Sequence, residues 1–267
     1  MRRRCCRADA TEVGGIADVA PAGPPDRDVG IEAALDLQLE LAAKVRLRDG
    51  YARPLRTVAG FDVRDEEGGA IARAVAVLLD ADTLQVLGSE IARTPTAMDR
   101  IPGLLSFRGL PALLLALEAL PQAPDLAFVA GHGIAHPRGL GPAAHFGVAS
   151  GVPSIGVADE ILEGSGSEPH HVRGAYTPLR SEGKQLGWLL RSRVGCDPLV
   201  VSPGHRMSMA STADLVMRFT RDHRLPEPMR LAELLVAPRG GEGDGAPTDP
   251  VTGKRGSGVH RDHREAD

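Results

Sequence analysis

Runs of about five apolar residues, each followed by a longer stretch of helical spacing, dominate the middle of this chain and restrict its fold more than any other feature. Residues 126–130 (Leu-Ala-Phe-Val-Ala) and 154–157 (Ser-Ile-Gly-Val) are too short for buried helices and carry no polar face. They therefore read as strands covered on both sides. Residues 142–150, opened by a proline, form a helix between them, and strand–helix–strand order implies parallel pairing in an α/β layer. Upstream, residues 57–63, 70–79 and 84–92 are strand candidates separated by Gly68-Gly69 and by Asp80-Ala81-Asp82-Thr83. Turns of this kind predict an antiparallel meander.

Around this centre, apolar residues at helical spacing predict a helix over 31–47 that stops near Asp49-Gly50. A second helix is predicted over 110–120 with Pro111 in its first turn. Strands are expected over 185–193 and 199–202, and a helix over 211–223. Domain boundaries follow from composition. Residues 1–30 and 237–267 are rich in Gly, Pro and mixed charge and cannot bury enough surface to offset ordering, so both are expected to be disordered. The histidines His260 and His263 fall in the second of these. One α/β domain is expected over 31–236.

The formal charge of −4 shows no cationic excess of the sort that phosphate binding exploits. Cys5, Cys6 and Cys196 lack metal-ligand spacing and imply no disulfide framework. The basic Met1-Arg2-Arg3-Arg4 start is not followed by an apolar segment, and no stretch is long enough to span a bilayer. A cytoplasmic location and no membrane association are expected.

Chemistry is expected where strands end. The first strand ends in Gly60-Phe61-Asp62-Val63, the fourth runs into Gly131-His132-Gly133, and the last into Pro203-Gly204-His205-Arg206. Each alone is a weak signal: an Asp in a strand, a tight turn, a lead-in to a helix. In combination they are specific. Val58-Ala59-Gly60-Phe61-Asp62 and Ile101-Pro102-Gly103-Leu104-Leu105-Ser106-Phe107-Arg108 are followed by Gly131-His132-Gly133-Ile134-Ala135-His136-Pro137-Arg138, His145-Phe146-Gly147 and Ile155-Gly156-Val157-Ala158. With Pro198 to Arg206 and Leu225-Pro226-Glu227-Pro228, this order resembles the endonuclease V family over roughly residues 31 to 236.

The resemblance implies an RNase H-like fold, a mixed β-sheet flanked by helices. It implies Mg²⁺-dependent cleavage of DNA or RNA on the 3′ side of a deaminated base such as hypoxanthine, read after flipping. Asp62 and His205 match the family's catalytic positions, and Asp62 the first metal carboxylate. Ile101, Pro102, Gly103, Arg108, Gly131, Gly133, His136, Arg138 and Gly141 match its substrate-binding motifs. Two metal carboxylates have no counterpart: Gly109 stands where the family has Glu, and Ala130 where it has Asp. Asp99-Arg100 replaces a Pro-Tyr wedge, Asp159 a Lys, and Gly139 a second Arg.

The expectation is therefore an impaired nuclease with an incomplete metal site and weak affinity for deaminated strands. The alternatives are a pseudonuclease kept for binding, or a different enzyme using Asp62, His132, His136 and His205. The carboxylates Asp65, Glu66 and Glu67 are read as a solvated loop. A base cleft is expected near Gly133, His136 and Arg108. Strand alternation places Arg64 on the face of Asp62, where its cation either stands in for the metal or bends out to solvent.

Overall fold

The structure is a computed structural model that describes residues 27–96 and 98–237. The expectations for residues 1–26 and 238–267, including Cys5, Cys6, His260 and His263, lie outside the described residues.

Eight strands form one sheet: β1 (Thr57–Glu66), β2 (Ile71–Asp80), β3 (Val86–Pro95), β4 (Leu126–Ala130), β5 (Ser154–Ala158), β6 (Tyr176–Ser181), β7 (Lys184–Leu190) and β8 (Leu199–Pro203). Their order is β3-β2-β1-β4-β5-β8-β7-β6. The meander β1–β3 is antiparallel, β1–β4 and β4–β5 are parallel, and β5–β8, β8–β7 and β7–β6 are antiparallel. With helices against both faces, this is the RNase H-like mixed sheet that the motifs imply.

Alternation along the strands builds the two cores. On β2, Val75, Val77 and Leu79 point to one face, with Phe128 and Ile155 from β4 and β5. There they meet α4 (Met209–Phe219) through Leu215, Val216 and Phe219, and α5 (Glu227–Val236) through Met229, Ala232 and Val236. Ala72, Ala74, Ala76 and Leu78 point the other way, onto α2 (Leu105–Ala119) and α3 (Pro142–Ser150). A side-chain period of two makes this division unavoidable once the register is set. The small alanines on the second face let α2 lie close to the sheet.

Several local readings change, and β6 and α5 have no counterpart among the predicted elements. The first helix, α1, covers Arg27–Ala42, so it begins and ends earlier than its apolar spacing predicts. β1 does not stop at Val63 but continues to Glu66. Its outer residues are paired: Asp65 with Arg108 at 3.2 Å, and Glu66 with Arg73 and Arg93 at 3.4 and 2.8 Å. The solvated-loop reading fails for these two because their partners lie on other elements. Helix α2 starts at Leu105, which puts Pro111 inside it and Ser106, Arg108 and Gly109 on its buried face. Arg108 in this first turn is held by three acceptors, described below, while Pro111 leaves one helix bond unmade.

Candidate functional site

Asp62 is the first candidate residue, and the sheet sets its place. One step past the Phe61–Val129 pair of β1 and β4, it stands beside Ala130 at the C-terminal end of the parallel strands. It opens a cavity of about 440 Å³. Gly109 and Ala130 line the same cavity, so both positions that the resemblance marks for carboxylates face Asp62 across a common space. Neither carries a donor. Three arginines, Arg64, Arg100 and Arg108, line it against two aspartates, Asp62 and Asp65.

Arg64 behaves as strand geometry predicts. Its Nε lies 3.6 Å from Asp62 Oδ2 and its Nη2 lies 3.4 Å from Glu233 Oε1, so one guanidinium spans two carboxylates. Glu233 is a residue that sequence reasoning missed. It belongs to α5, which presses so closely on β1 that a Cβ at Gly60 would lie 2.0 Å from the Pro228 carbonyl oxygen. That approach delivers the polar side of α5 to the Asp62 face. The helix itself had a signal, Glu227 and Pro228 in a first turn and then apolar Met229, Ala232 and Val236 at helical spacing, but nothing in that spacing brings Glu233 to Asp62.

Burial sets the electrostatics. It pushes the Asp62 carboxyl above its usual range, opposed by Arg64 and by the Val63 N–H, which donates at 2.7 Å; Asp159 pushes the same way as burial. Glu233 is also raised, mainly by burial, with Asp62 and Asp159 adding to it and Arg64 opposing. Asp159 itself is ion-paired with Arg224, which offsets the negative charge standing where the resemblance expects Lys.

The fit to Mg²⁺ is poor. That ion requires oxygen ligands in an octahedron. Among the described residues, no group of three or more His, Cys, Asp or Glu side chains is placed to hold a metal. Between Asp62 and Glu233 a cationic side chain, that of Arg64, already lies. Space at Gly109 is short as well, since a Cβ there would lie 2.8 Å from Val63 Cγ1.

The remaining candidates build a framework, and of them Arg108 also lines openings of about 400 and 380 Å³ beside Gly68 and Gly69. Arg108 is buried, donating to the carbonyls of Met98 and Gly69 besides its pair with Asp65. Gly103, at φ +81°, offers its carbonyl to Gln38 and Arg138, while Ile101 accepts from the Leu104 N–H in the same turn as Pro102. Arg138 also donates to the Gln38 side chain, tying the 131–141 loop to α1. Gly131 (φ +109°) donates to Val157, and Gly141 donates to Gly133. Gly133 donates to Ser202 Oγ at 2.7 Å and packs where a Cβ would meet the Pro203 carbonyl oxygen at 2.1 Å.

His136 is buried, and its pKa is lowered to about 4 by burial first and Arg138 next; the Arg138 N–H points to its Nδ1. The expected cleft near Gly133, His136 and Arg108 is therefore not what these residues form. Gly133 and His136 pack inside the loop, Arg108 is committed to three partners, and the cavity lies over Asp62.

His205 stands apart from Asp62. It follows β8, whose last residue pairs with Ile155 at the start of β5, toward the opposite end of the parallel strands. Its N–H donates to Ser154 Oγ at 2.9 Å and its Nδ1 accepts from Arg46 N–H at 3.4 Å. Burial, Arg206 and Arg46 all lower its pKa. His132 contacts the Glu160 carbonyl and is likewise lowered by burial. The structure thus gathers Asp62, Arg64, Gly109, Ala130 and Glu233, and leaves the histidines outside. Among the described residues, no helix is long and apolar enough to cross a membrane.

Comparison with known proteins places this geometry. The family profile described as Endonuclease V matches residues 39–234. Endonuclease V of Xanthomonas axonopodis pv. citri is 53% identical over 213 residues, 80% of this chain and 90% of that protein. The crystal structure of endonuclease V from Streptomyces avermitilis superposes with a TM-score of 0.73 at 36% identity, covering 81% of this chain and 94% of the other. The Ciona intestinalis endonuclease V, solved with a 23mer DNA containing an inosine followed by a ribo-adenosine, superposes with a TM-score of 0.67 at 22% identity. That match covers 78% of this chain and 95% of the other and is a likeness of fold.

Proposed function

This chain belongs to the endonuclease V family, and from that membership we propose that it binds strands carrying a deaminated base, such as inosine, but does not hydrolyse them at a useful rate. The observation that carries the reading is the Arg64 guanidinium lying between Asp62 and Glu233, in a cavity whose other marked positions are Gly109 and Ala130. A cationic side chain neutralises two carboxylates as a metal would. However, it offers no open coordination position and cannot lower the pKa of a water, which is the part that hydrolysis needs. Binding is supported by what the substitutions spare. The motif residues of the 101–108 turn and the 131–141 loop are joined by hydrogen bonds, and the Ciona relative holds inosine-containing DNA on the same fold.

The two halves of this reading separate in one experiment. Single- and double-stranded oligonucleotides with one inosine are incubated with excess protein in Mg²⁺ or Mn²⁺, and binding and nicking are followed together. A weak complex that prefers inosine and leaves the strand intact is expected. Cleavage 3′ to the inosine by the unmodified protein would overturn the loss of hydrolysis. Equal affinity for inosine-free strands would overturn base recognition.

A further inference from the structure

The net charge of −4 conceals a cationic patch that tertiary structure assembles. A surface cavity of about 520 Å³ is lined by Arg173, Arg193, Val194, Thr220, Arg221 and Asp222. The arginines come from three places: ahead of β6, between β7 and β8, and just past α4. The register brings them to one end of the sheet. Tyr176 pairs with Leu190, Leu190 with Leu199, and Val200 with Ala158 at the C-terminal end of β5. Asp62 opens its cavity at that same end. From β1 to β7 there are four strand steps of about 4.8 Å, roughly 19 Å in all.

Arg173 is held in place by its donation to the Thr220 carbonyl at 2.8 Å, while the Arg193 and Arg221 side chains are exposed to solvent. Asp222 is the carboxylate that lines this cavity. Three other nearby acids, Asp159, Glu168 and Glu227, are engaged by Arg224, Arg191 and Arg230. Three guanidinium groups therefore face one carboxylate across a shallow opening. The planar fork of arginine suits phosphate oxygens, and exposed cations bind a phosphate chain by releasing its counterions, whatever the bases.

We propose that Arg173, Arg193 and Arg221 form a phosphate-contact site for the backbone of a nucleic-acid strand that crosses this end of the sheet, separate from the Asp62 cavity. The inference rests on the nucleic-acid reading above but not on inosine recognition, because phosphate contacts do not depend on the base.

The test uses the full chain and single-stranded oligonucleotides with and without one inosine, titrated by fluorescence anisotropy across a salt series. Arg193→Ala and Arg221→Ala are combined; both side chains are exposed, and an unchanged thermal midpoint confirms folding. Two lost contacts make the slope of log K against log salt shallower by about 1.4 on a single strand. Affinity at about 0.1 M salt then falls roughly 25-fold relative to the value at about 1 M. The loss is expected to be equal for both oligonucleotides, and Arg193→Lys with Arg221→Lys is expected to restore the slope. Parallel salt curves for parent and alanine variant would overturn the site. If the parent binds both oligonucleotides equally while the slope still changes, inosine recognition fails and the phosphate site stands.

Discussion

Gly109→Glu decides whether the cavity at Asp62 can be rebuilt, and Val63 controls the outcome. A Cβ at position 109 would lie 2.8 Å from Val63 Cγ1 and 3.2 Å from Cγ2. Packed carbons rest about 3.5–4.0 Å apart, so the pair must separate by about 0.7 Å or more. Val63 branches at Cβ and turns poorly. Overpacking of this kind costs about 1–3 kcal/mol, while replacing a glycine within a helix returns up to about 1 kcal/mol. The net loss is about 1 kcal/mol, a drop in melting temperature of about 2–4 °C for a domain of this size. Val63→Ala alone is also expected to destabilise, since it removes packed methyl groups. Combined with Gly109→Glu, it relieves the contact instead. Denaturant unfolding of the parent, both single variants and the double variant is therefore expected to give a coupling of at least about 1 kcal/mol in favour of the double variant. Additivity within about 0.5 kcal/mol would refute the reasoning, because distant and independent sites behave that way. A chain combining Val63→Ala, Gly109→Glu, Ala130→Asp and Arg64→Gly is expected to take up Mg²⁺ in calorimetry. The same chain with Val63 retained is expected to bind more weakly, and the parent not at all.

Other expectations rest on single contacts. Because burial raises the Asp62 pKa above its ordinary 3.8, the folded protein holds that proton more firmly than the unfolded chain. Stability is then greatest below the ordinary value and declines as pH rises through the window up to the raised one. Asp62→Asn is expected to flatten that decline in a pH series of denaturation curves, and an unchanged slope would show that the carboxyl is not raised. Ser208 caps α4 by accepting from the Ser211 N–H at 3.3 Å, so Ser208→Ala is expected to cost about 1 kcal/mol; a negligible change in denaturation midpoint would count against the cap. Gly133→Ala would set a methyl 2.1 Å from the Pro203 carbonyl oxygen. A loss above about 3 kcal/mol is expected, past the usual overpacking range because backbone must move, and a variant that melts with the parent would contradict the close packing of the 131–141 loop.

Local pattern alone determined the sheet's centre. The strand β4, the helix α3 and the antiparallel meander were legible because short apolar runs and glycine turns act within a few residues. The resemblance to endonuclease V marked Asp62, Gly109 and Ala130 as companions, and alternation put Arg64 on the Asp62 face. Only the tertiary structure supplied Glu233, since no spacing along α5 reveals that Gly60 lets that helix descend onto β1. It also separated His205 from Asp62, because β8 runs antiparallel to β5 and carries the residues after it away from the site. Asp65 and Glu66 gained partners from α2, β2 and β3 that lie distant in the chain. The arginines at positions 173, 193 and 221 share an opening only after three antiparallel pairings bring them to one edge. Periodicity records which face a residue takes on its own element; which elements meet is settled by long-range packing, and these charged contacts are products of that packing.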